Sequence, residues 1–531
     1  MFEIEYFSLN LVTNSLIIVA TVLFFYWYCK RNHDYWEKLG IPFVKPVPFF
    51  GSILEVFSTP PPYLELKRYS ELGPVYGHFE RNRPCLTIGD PKILRKIMVK
   101  DFVSFSRRRE FSANDEVLDN MLITLQGEQW KRVRDFVTPT FTSGKLKKML
   151  GIFKECSKTL LQNLSAASQQ GNPVDAKRLY GAFTMDVIAS AAFSTKIDSH
   201  NDPENRFVST AKVVFQKRGG WRYLLHLLFP DLMQFLGVSS RSADIHFFNE
   251  ITLQIIEERK RTGQTRNDFL QLLIDSSKED EDLVKTAPSK ENGDVSNYIE
   301  ETAEQSPMKN KSYKNLTVNE MVAQCVIFFL AGYDTTASTL SNVTYCLALN
   351  QEVQDKLRRE IDTVIDQHKG ELTYETIQEM KYLDNVISET LRLYPPVARV
   401  ERIAEADYDS TDLSIKIPKG MVIGIPMYAV HRDPRHWTDP EKFDPNRFCS
   451  EEKAKRDQFA YLPFAAGPRN CVAMRFALLE VKLCLVHVIS AFKIKRCSRT
   501  KVPLEFTPSR NLVTPKEITV SLEARKETSF L

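Results

Sequence analysis

One short segment in the last quarter of the chain constrains its structure more than any other feature. Residues 464–473 read FAAGPRNCVA, and the apolar pattern of residues 474–488 that follows predicts a helix. Cys471 therefore lies where a loop meets a helix start. The helix dipole and the unpaired N–H groups at such a place lower the pKa of a thiol and stabilise the thiolate, which is the form that binds metals. An isolated cysteine in this position is more often structural than metal-binding. The neighbouring residues must therefore decide whether Cys471 is a structural residue or a metal ligand.

The other cysteines and the histidines indicate no competing metal site. The nine cysteines are scattered and include no C-x-x-C pair, which argues against a disulfide framework or a zinc site. None of the nine histidines belongs to an H-x-x-x-H pair. A net charge of +4 over 531 residues gives no indication of a nucleic-acid partner.

The amino-terminal residues predict a membrane anchor. Residues 7–29 carry no charge, and residues 16–28 are almost entirely apolar, which is long enough for a helix across a bilayer. Lys30 and Arg31 follow this stretch, so the positive-inside rule places the rest of the chain on the cytoplasmic side. No small-residue cleavage site closes it, which favours an uncleaved anchor. We therefore expect an anchor at residues 1–31 and a proline-rich connector at residues 32–50, which the prolines make extended over residues 41–48.

The remaining residues, 51–531, are expected to form one mainly α (α+β) domain, a large helical body with small β-sheets. Helical patterns dominate it and strand-like runs are few. Residues 275–315 are rich in Lys, Glu, Asp, Ser and Asn without periodicity, so we expect an exposed, mobile loop. The apolar run at residues 221–229 has two interpretations, as a surface that dips into the bilayer or as part of the core.

The spacing F-x-x-G-x-R-x-C-x-A, from Phe464 to Ala473, resembles the haem-binding loop of the cytochrome P-450 family. The resemblance implies that Cys471 is the proximal ligand of the iron in haem b, iron protoporphyrin IX. It also implies that Phe464 lies beside this ligand, that Gly467 allows a tight turn and that Arg469 pairs with a haem propionate. Ala473 departs from the family pattern, since most members have Gly there.

A second motif, AGYDTT at residues 331–336, lies inside a long apolar helical pattern. From the residues alone, the Gly and the threonines indicate a local bend of the helix. The motif is similar to the A-G-x-D/E-T-T pattern of the same family. That resemblance implies that Asp334 and Thr335 relay protons to the oxygen that reacts.

Three further elements resemble the family in the expected order along the chain. Trp130 and Arg134 match a W-x-x-x-R pattern whose side chains donate to a propionate, and Arg402 is a further expected donor. Glu389, Arg392 and Arg447 match a Glu–Arg–Arg network that locks the structure behind the haem.

The resemblance is closest to the animal microsomal group that oxidises drugs and other xenobiotics. It implies a monooxygenase that inserts one oxygen atom from O2 into a lipophilic substrate, such as a xenobiotic, steroid or fatty acid. An oxygen-independent haem isomerase of the thromboxane-synthase type is the alternative, but such enzymes tend to lose the acid–alcohol pair. A non-enzymatic haem carrier or sensor would need no proton relay at all.

The same resemblance implies an endoplasmic reticulum membrane protein with a single membrane pass and a cytoplasmic catalytic domain. No G-x-G-x-x-G fingerprint is present, so we expect electrons from NADPH through a separate cytochrome P-450 reductase, with cytochrome b5 as an additional donor. A basic cluster near Trp130 is either a docking surface for this acidic partner or a solvated face. Its members are Lys131, Arg132, Lys145, Lys147 and Lys148.

Overall fold

A computed structural model describes residues 2–109, 115–202, 204–210, 233, 236, 244–279, 315–508 and 512–525. The prediction of a mainly helical fold with small sheets is confirmed. The α-helices lie at Phe2–Lys30, Tyr35–Lys38, Leu54–Ser58, Pro61–Leu72, Pro91–Arg95, Glu116–Asp119, Gly127–Val137, Ser143–Gln169, Ala176–Phe193, Asp244–Thr262, Phe269–Glu279, Val318–Leu349, Gln351–Gln367, Tyr374–Glu379, Lys381–Leu393, Met427–Val430, Ser450–Lys455 and Met474–Ala491. A π-helical turn at Lys96–Lys100 and 3-10 turns at Phe102–Phe105, Thr138–Phe141, Pro445–Phe448 and Gln458–Ala460 connect them.

The strands form three small sheets. The largest has the order β1 (Val75–Glu80), β2 (Arg83–Ile88), β7 (Val422–Ile425) and β4 (Val400–Ile403). Its β2 and β7 are parallel and its other pairs are antiparallel. A second sheet has the order β3 (Val174–Asp175), β9 (Thr519–Ala524), β8 (Phe492–Lys495), and a third pairs β5 (Tyr408–Ser410) with β6 (Ile415–Ile417).

The helix at Val318–Leu349 runs through the middle of the main core. A capping box fixes its start, because the Thr317 side chain accepts from the Glu320 N–H while Glu320 accepts from the Thr317 N–H. Most of its side chains are buried, as expected for a helix surrounded by others. It stays helical through the AGYDTT motif, and the Thr335 hydroxyl donates to the Ala331 carbonyl, which is the side-chain bond that the residues alone indicate.

Gly332 of that motif has a packing role. A Cβ atom at Gly332 would lie 2.8 Å from Cδ1 of Ile188, a buried residue of the helix at Ala176–Phe193. The glycine therefore lets the two helices approach more closely than any side chain would allow.

The amino-terminal helix and the connector differ in how far they pack against the folded domain. Residues Thr13–Lys30 are long and apolar enough to cross a membrane, and of their side chains only that of Cys29 is buried. In the connector, Trp36 is completely buried, and its Nε1 donates to the His78 carbonyl at 3.2 Å. The Val44 N–H donates to the Gly77 carbonyl at 2.9 Å. The connector packs against β1. Its residues 41–47 contain no helix or turn, as expected of an extended segment, whereas Tyr35–Lys38 form a short helix.

The charged segment expected as a loop is partly helical. Residues 275–279 continue the helix Phe269–Glu279, which corrects the start of that loop. Residues 280–314 lie outside the described part of the chain, as do residues 221–229.

Replacing Gly332 with Val is expected to lower the free energy of unfolding by about 1–3 kcal/mol, because the new methyl groups overpack the contact with Ile188. Urea unfolding of the holoenzyme measures the change. Gly151→Val is the matched control, since Gly151 also lies in a helix and a Cβ atom there would have no neighbour within 4 Å. In Gly332→Val/Ile188→Ala the loss should be smaller than the sum of the single changes. Strict additivity would contradict the proposed contact.

Candidate functional site

The loop before Cys471 is held in one conformation by close backbone packing. Gly467 has φ +73°, and a Cβ there would lie 1.8 Å from the Met98 carbonyl oxygen. The Cys471 N–H donates to the Phe464 carbonyl at 2.9 Å, which closes the loop on itself. The helix that follows begins at Met474. In the structure, as predicted, a tight turn places Cys471 just before the start of a helix.

Ala473 fits where the family pattern favours Gly. Its φ of −92° is accessible to any residue, so the backbone does not require glycine at this position. Its N–H is hydrogen-bonded to Cys471. The added methyl group therefore leaves the loop geometry intact.

The prediction of a lowered thiol pKa is wrong for Cys471 in the protein alone. Burial raises the pKa of this thiol above its usual value, and this effect exceeds the lowering by the Ala473 N–H, Arg134 and Arg108. The side chain is solvent-accessible, yet protein atoms surround it on most sides, so it lies in a recess. A cation bound to the sulfur would favour the thiolate against this burial.

Four arginines converge on the cysteine loop from four different segments. Arg108 Nη2 donates to the Arg469 carbonyl at 3.0 Å, and Arg134 donates to Asn470 O and Oδ1 at 3.0 and 2.7 Å. Arg469 Nη2 donates to the Leu125 carbonyl at 2.9 Å and to a side-chain oxygen of Gln126 at 3.0 Å. The fourth arginine, Arg402, lies on β4 and is completely buried.

These arginines carry more positive charge than the described residues neutralise. Burial and the neighbouring guanidinium groups lower the pKa of Arg402 well below its usual value, and they lower that of Arg469 to about 9. Burial is also the main cause that lowers the pKa of Arg134 to about 10. Nε and Nη2 of Arg402 and Nε and Nη1 of Arg469 are buried without a hydrogen-bond partner in the described part of the chain. Glu405 offsets only part of the burial effect on Arg469.

Such a cluster fits a bound dianion beside a metal. Buried cationic groups without partners are costly, and carboxylates are the groups that guanidinium N–H donors pair with most strongly. Haem b has two propionate groups and an iron that a thiolate can ligate. The donor set of Cys471, Arg402 and Arg469 therefore fits haem b.

Trp130 and Arg134 come from one helix, Gly127–Val137, four residues apart and so on the same face. The Trp130 ring is almost completely buried, with the Arg469 guanidinium 4.2 Å from its centroid. This cation–π contact orients Arg469 beside the loop. The structure thus brings Trp130, Arg134, Arg402, Arg469 and Cys471 into one site.

Asp334 and Thr335 lie on the central helix. The Thr335 hydroxyl donates to the Ala331 carbonyl at 2.7 Å, and Lys177 Nζ lies 3.7 Å from Asp334 Oδ1. Both side chains of this ion pair are partly exposed, so Asp334 is in contact with solvent. Within the described residues, no hydrogen bond or ion pair joins Asp334 or Thr335 to the loop of Cys471.

The predicted Glu–Arg–Arg network is present. Glu389 and Arg392 are completely buried and form two hydrogen bonds of 2.7 and 2.9 Å. Arg447 Nε lies 3.3 Å from Glu389 Oε1. Arg392 also donates to the His431 carbonyl at 2.8 Å, and His431 Nε2 accepts from the Leu462 N–H at 2.7 Å. This network therefore reaches the segment that leads into the cysteine loop.

Sequence reasoning missed Arg108, Lys177 and His431. Arg108 stands in the run Arg107-Arg108-Arg109, a signal that indicates a basic site without showing which side chain turns inwards. Lys177 and His431 are separated from their partners by long stretches of chain, and no local pattern marks them.

Replacing Gly467 with Ala is expected to abolish haem retention, because the new Cβ would collide with the backbone of Met98 and displace the loop. Haem content per protein, measured after purification, tests this. Gly420→Ala is the matched control: Gly420 has φ +82° but no atom within 4 Å of a Cβ, so that variant should cost only about 1 kcal/mol and keep its haem. Equal haem content in both variants would show that the close approach to Met98 is unimportant.

Comparison with known proteins places the chain in a family. The family model described as Cytochrome P450 matches residues 41–522. The chain is 37% identical over 524 residues to Cytochrome P450 3A7 from Homo sapiens, covering 97% of this chain and 98% of the relative. It is 35% identical over 533 residues to Cytochrome P450 3A27 from Oncorhynchus mykiss, covering 99% and 96%, respectively.

These matches confirm the predicted monooxygenase class and haem b held by a cysteine thiolate. They do not favour the isomerase alternative. The match to the family model extends over most of the chain, and the relatives are covered almost from end to end, so the chain belongs to the cytochrome P450 family.

Proposed function

We propose that Cys471 is the thiolate ligand of the haem iron and that the surrounding arginines hold the propionates. The observation that carries this proposal is the accessibility of the sulfur. Six of the nine cysteines are buried and two are intermediate, whereas Cys471 is exposed and lies near the Arg108 and Arg134 guanidinium groups. A metal can reach it without rearrangement of the core.

The residues around Cys471 have different roles in holding the cofactor. Arg402 and Arg469 have unpartnered N–H groups for the propionates, and Trp130 keeps the Arg469 guanidinium in place through its ring. Arg134 binds the Asn470 side chain and carbonyl, so it supports the loop and adds positive charge next to a propionate. Phe464 is partly buried at the other end of the loop, and its carbonyl accepts from the Cys471 N–H. When bound, the haem supplies the redox chemistry that activates O2.

Asp334 and Thr335 are proposed to deliver protons. Asp334 is ion-paired with Lys177 at a partly exposed position, so it can exchange protons with solvent. Thr335 is the next residue, and its hydroxyl donates to Ala331 in the resting arrangement. Rotation of this hydroxyl away from the Ala331 carbonyl would let it donate to the reacting oxygen, directly or through water.

The proposal also includes the domain bounds, the membrane location and the partners of the protein. Residues 1–31 act as the membrane anchor, residues 32–50 as the connector and residues 51–531 as the catalytic domain. The anchor holds the protein in the endoplasmic reticulum membrane with one pass and the catalytic domain on the cytoplasmic side. NADPH–cytochrome P-450 reductase supplies electrons, cytochrome b5 is a second donor, and the substrate is a lipophilic xenobiotic, steroid or fatty acid.

The basic cluster is a smaller docking surface than the sequence indicates. Arg132 is ion-paired with Glu320 and Lys147 with Glu375. Lys131, Lys145 and Lys148 remain for an acidic partner such as the reductase. Lys131 follows Trp130 on the helix Gly127–Val137, and Lys145 and Lys148 lie in the first turns of the helix Ser143–Gln169. Trp130 itself contacts Arg469 beside the cysteine loop.

Cys471→Ser is expected to abolish the red-shifted Soret band of the reduced carbon-monoxide complex, since only thiolate ligation produces that band. The measurement is a difference spectrum of the purified variant. Cys449→Ser is the control, because Cys449 is partly exposed but lies outside the loop. An unchanged spectrum in Cys471→Ser would overturn the ligand assignment.

Thr335→Ala is expected to keep haem content and substrate binding while less product forms per NADPH consumed and more hydrogen peroxide is released. Product formation should fall by up to roughly 100-fold, the lower end of what a positioned proton donor contributes. Asp334→Asn should change the ratio in the same direction. The measurement is product and hydrogen peroxide per NADPH with saturating reductase.

Thr339→Ala is the matched control for Thr335. Its hydroxyl makes the same kind of bond one turn further along the helix, to the Thr335 carbonyl at 2.9 Å. This variant should form as much product per NADPH consumed as the wild type. Equal ratios in wild type, Thr335→Ala and Asp334→Asn would refute the proton-delivery role, and turnover without NADPH would indicate isomerase chemistry instead.

Deleting residues 1–29 is expected to shift much of the protein from the membrane to the soluble fraction and to leave haem binding unchanged. The reason is that the apolar window is unburied, whereas Trp36 and the connector, which pack on β1, are retained. Fractionation together with a carbon-monoxide spectrum measures both effects. Loss of haem on truncation would mean that the anchor is part of the folded domain.

A further inference from the structure

A second cavity lies away from the arginine cluster. It is a half-open cleft of about 380 Å³ between the ends of two helices, Ser143–Gln169 and Ala176–Phe193, and the central helix. This volume is at the lower end of the range typical of small-molecule pockets. Apolar side chains form its walls, among them Leu179, Ala182, Met185 and Val208.

The rim of the cleft carries two guanidinium groups. Arg178 and Arg499 line it, both are exposed, and neither forms an ion pair with a described residue. Arg499 makes only a 3.5 Å contact to the Pro173 carbonyl. Asp175 also lines the cleft, but one of its carboxylate oxygens accepts the N–H groups of Lys177 and Arg178 as a helix cap. The rim therefore has a net positive charge.

The inner part of the cleft presents neutral polar groups. His200 lines it, and its Nε2 is buried without a hydrogen-bond partner in the described part of the chain. Burial lowers the pKa of His200, so its ring is neutral near pH 7 and can donate or accept. Tyr333 also lines the cleft and precedes Asp334 on the central helix. Its hydroxyl lies 3.3 Å from where a Cβ of Gly181 would be, so the glycine leaves the ring room.

We propose that this cleft is a second ligand site, distinct from the haem site, that binds small amphipathic anions. The apolar walls accept an aromatic or aliphatic body, the two arginines pair with a carboxylate or sulfonate, and His200 hydrogen-bonds a polar group at the inner end. The inference does not depend on the roles of Cys471 or Thr335. Through Tyr333, the ligand contacts the helix that carries Asp334.

The test uses naphthalene-2-sulfonate and naphthalene-2-carboxylate as probes, with 2-naphthalenemethanol as the uncharged comparison. Binding is measured by calorimetric titration of the holoenzyme saturated with an azole that coordinates the haem iron, so that the haem site is filled. Both anions are expected to bind saturably and more tightly than the alcohol. Arg178→Gln and Arg499→Gln should each weaken anion binding by up to about fivefold, as for exposed ion pairs, and the double variant more than either one.

Two controls keep the result specific. Arg496→Gln removes an exposed arginine three residues before Arg499 that does not line the cleft, and it should leave binding unchanged. Ala182→Trp should fill the cleft and remove the binding of all three probes, with haem content and the carbon-monoxide spectrum as the check of folding. No saturable anion binding in the azole-saturated enzyme would overturn the proposal. Anion binding that the double arginine variant leaves unchanged would overturn it equally, since the site would lie elsewhere.

Discussion

The buried ion pair between Glu389 and Arg392 is the interaction on which the proximal half of the structure depends. Both side chains are completely buried, so breaking the pair by removing one partner would cost about 3–5 kcal/mol. The remaining donors and acceptors tie down distant segments: Glu389 also accepts from the Asp444 N–H, and Arg392 donates to the His431 carbonyl. His431 in turn holds the Leu462 N–H, just before the cysteine loop. One charge pair thus fixes the segment that positions Cys471.

The arginines at the proposed haem site differ from this ion pair, because their charges lack partners. At Glu389 the buried charges have partners, whereas Arg402 and Arg469 keep unpartnered donors and lowered pKa values. Burial of unpaired charge destabilises the protein without its cofactor, and a bound dianion removes that cost. Because only the folded chain brings these arginines together, cofactor binding stabilises the folded state by mass action. On the proposed assignment, folding and haem retention are coupled through electrostatics as well as through the iron–sulfur bond.

Elements defined by short spacing could be predicted from the sequence, and those defined by distant contacts could not. Local periodicity predicts three of these features: the helix start after Cys471, the shared face of Trp130 and Arg134, and the pairing of Glu389 with Arg392. The direction of the Cys471 pKa could not be predicted, because desolvation depends on atoms from several segments and exceeds the local effect of the helix start. The close packing of Gly332 against Ile188 could not be predicted either, since these two residues lie far apart in the chain.

The connector joins the proposed membrane anchor to the folded domain through specific packing contacts. A proline-rich linker alone would fix only a distance, since its reach is set by extended backbone. Here Trp36 lies against Gly77, where any Cβ would collide with the indole ring, and the Val44 N–H is bonded to the Gly77 carbonyl. Phe25 of the anchor helix contacts Phe49 at the end of the connector, with 5.7 Å between ring centroids. The contacts of Trp36 and Val44 lie on β1, whose sheet also contains the β4 strand of Arg402, so the same sheet holds the connector and one cationic group of the proposed haem site.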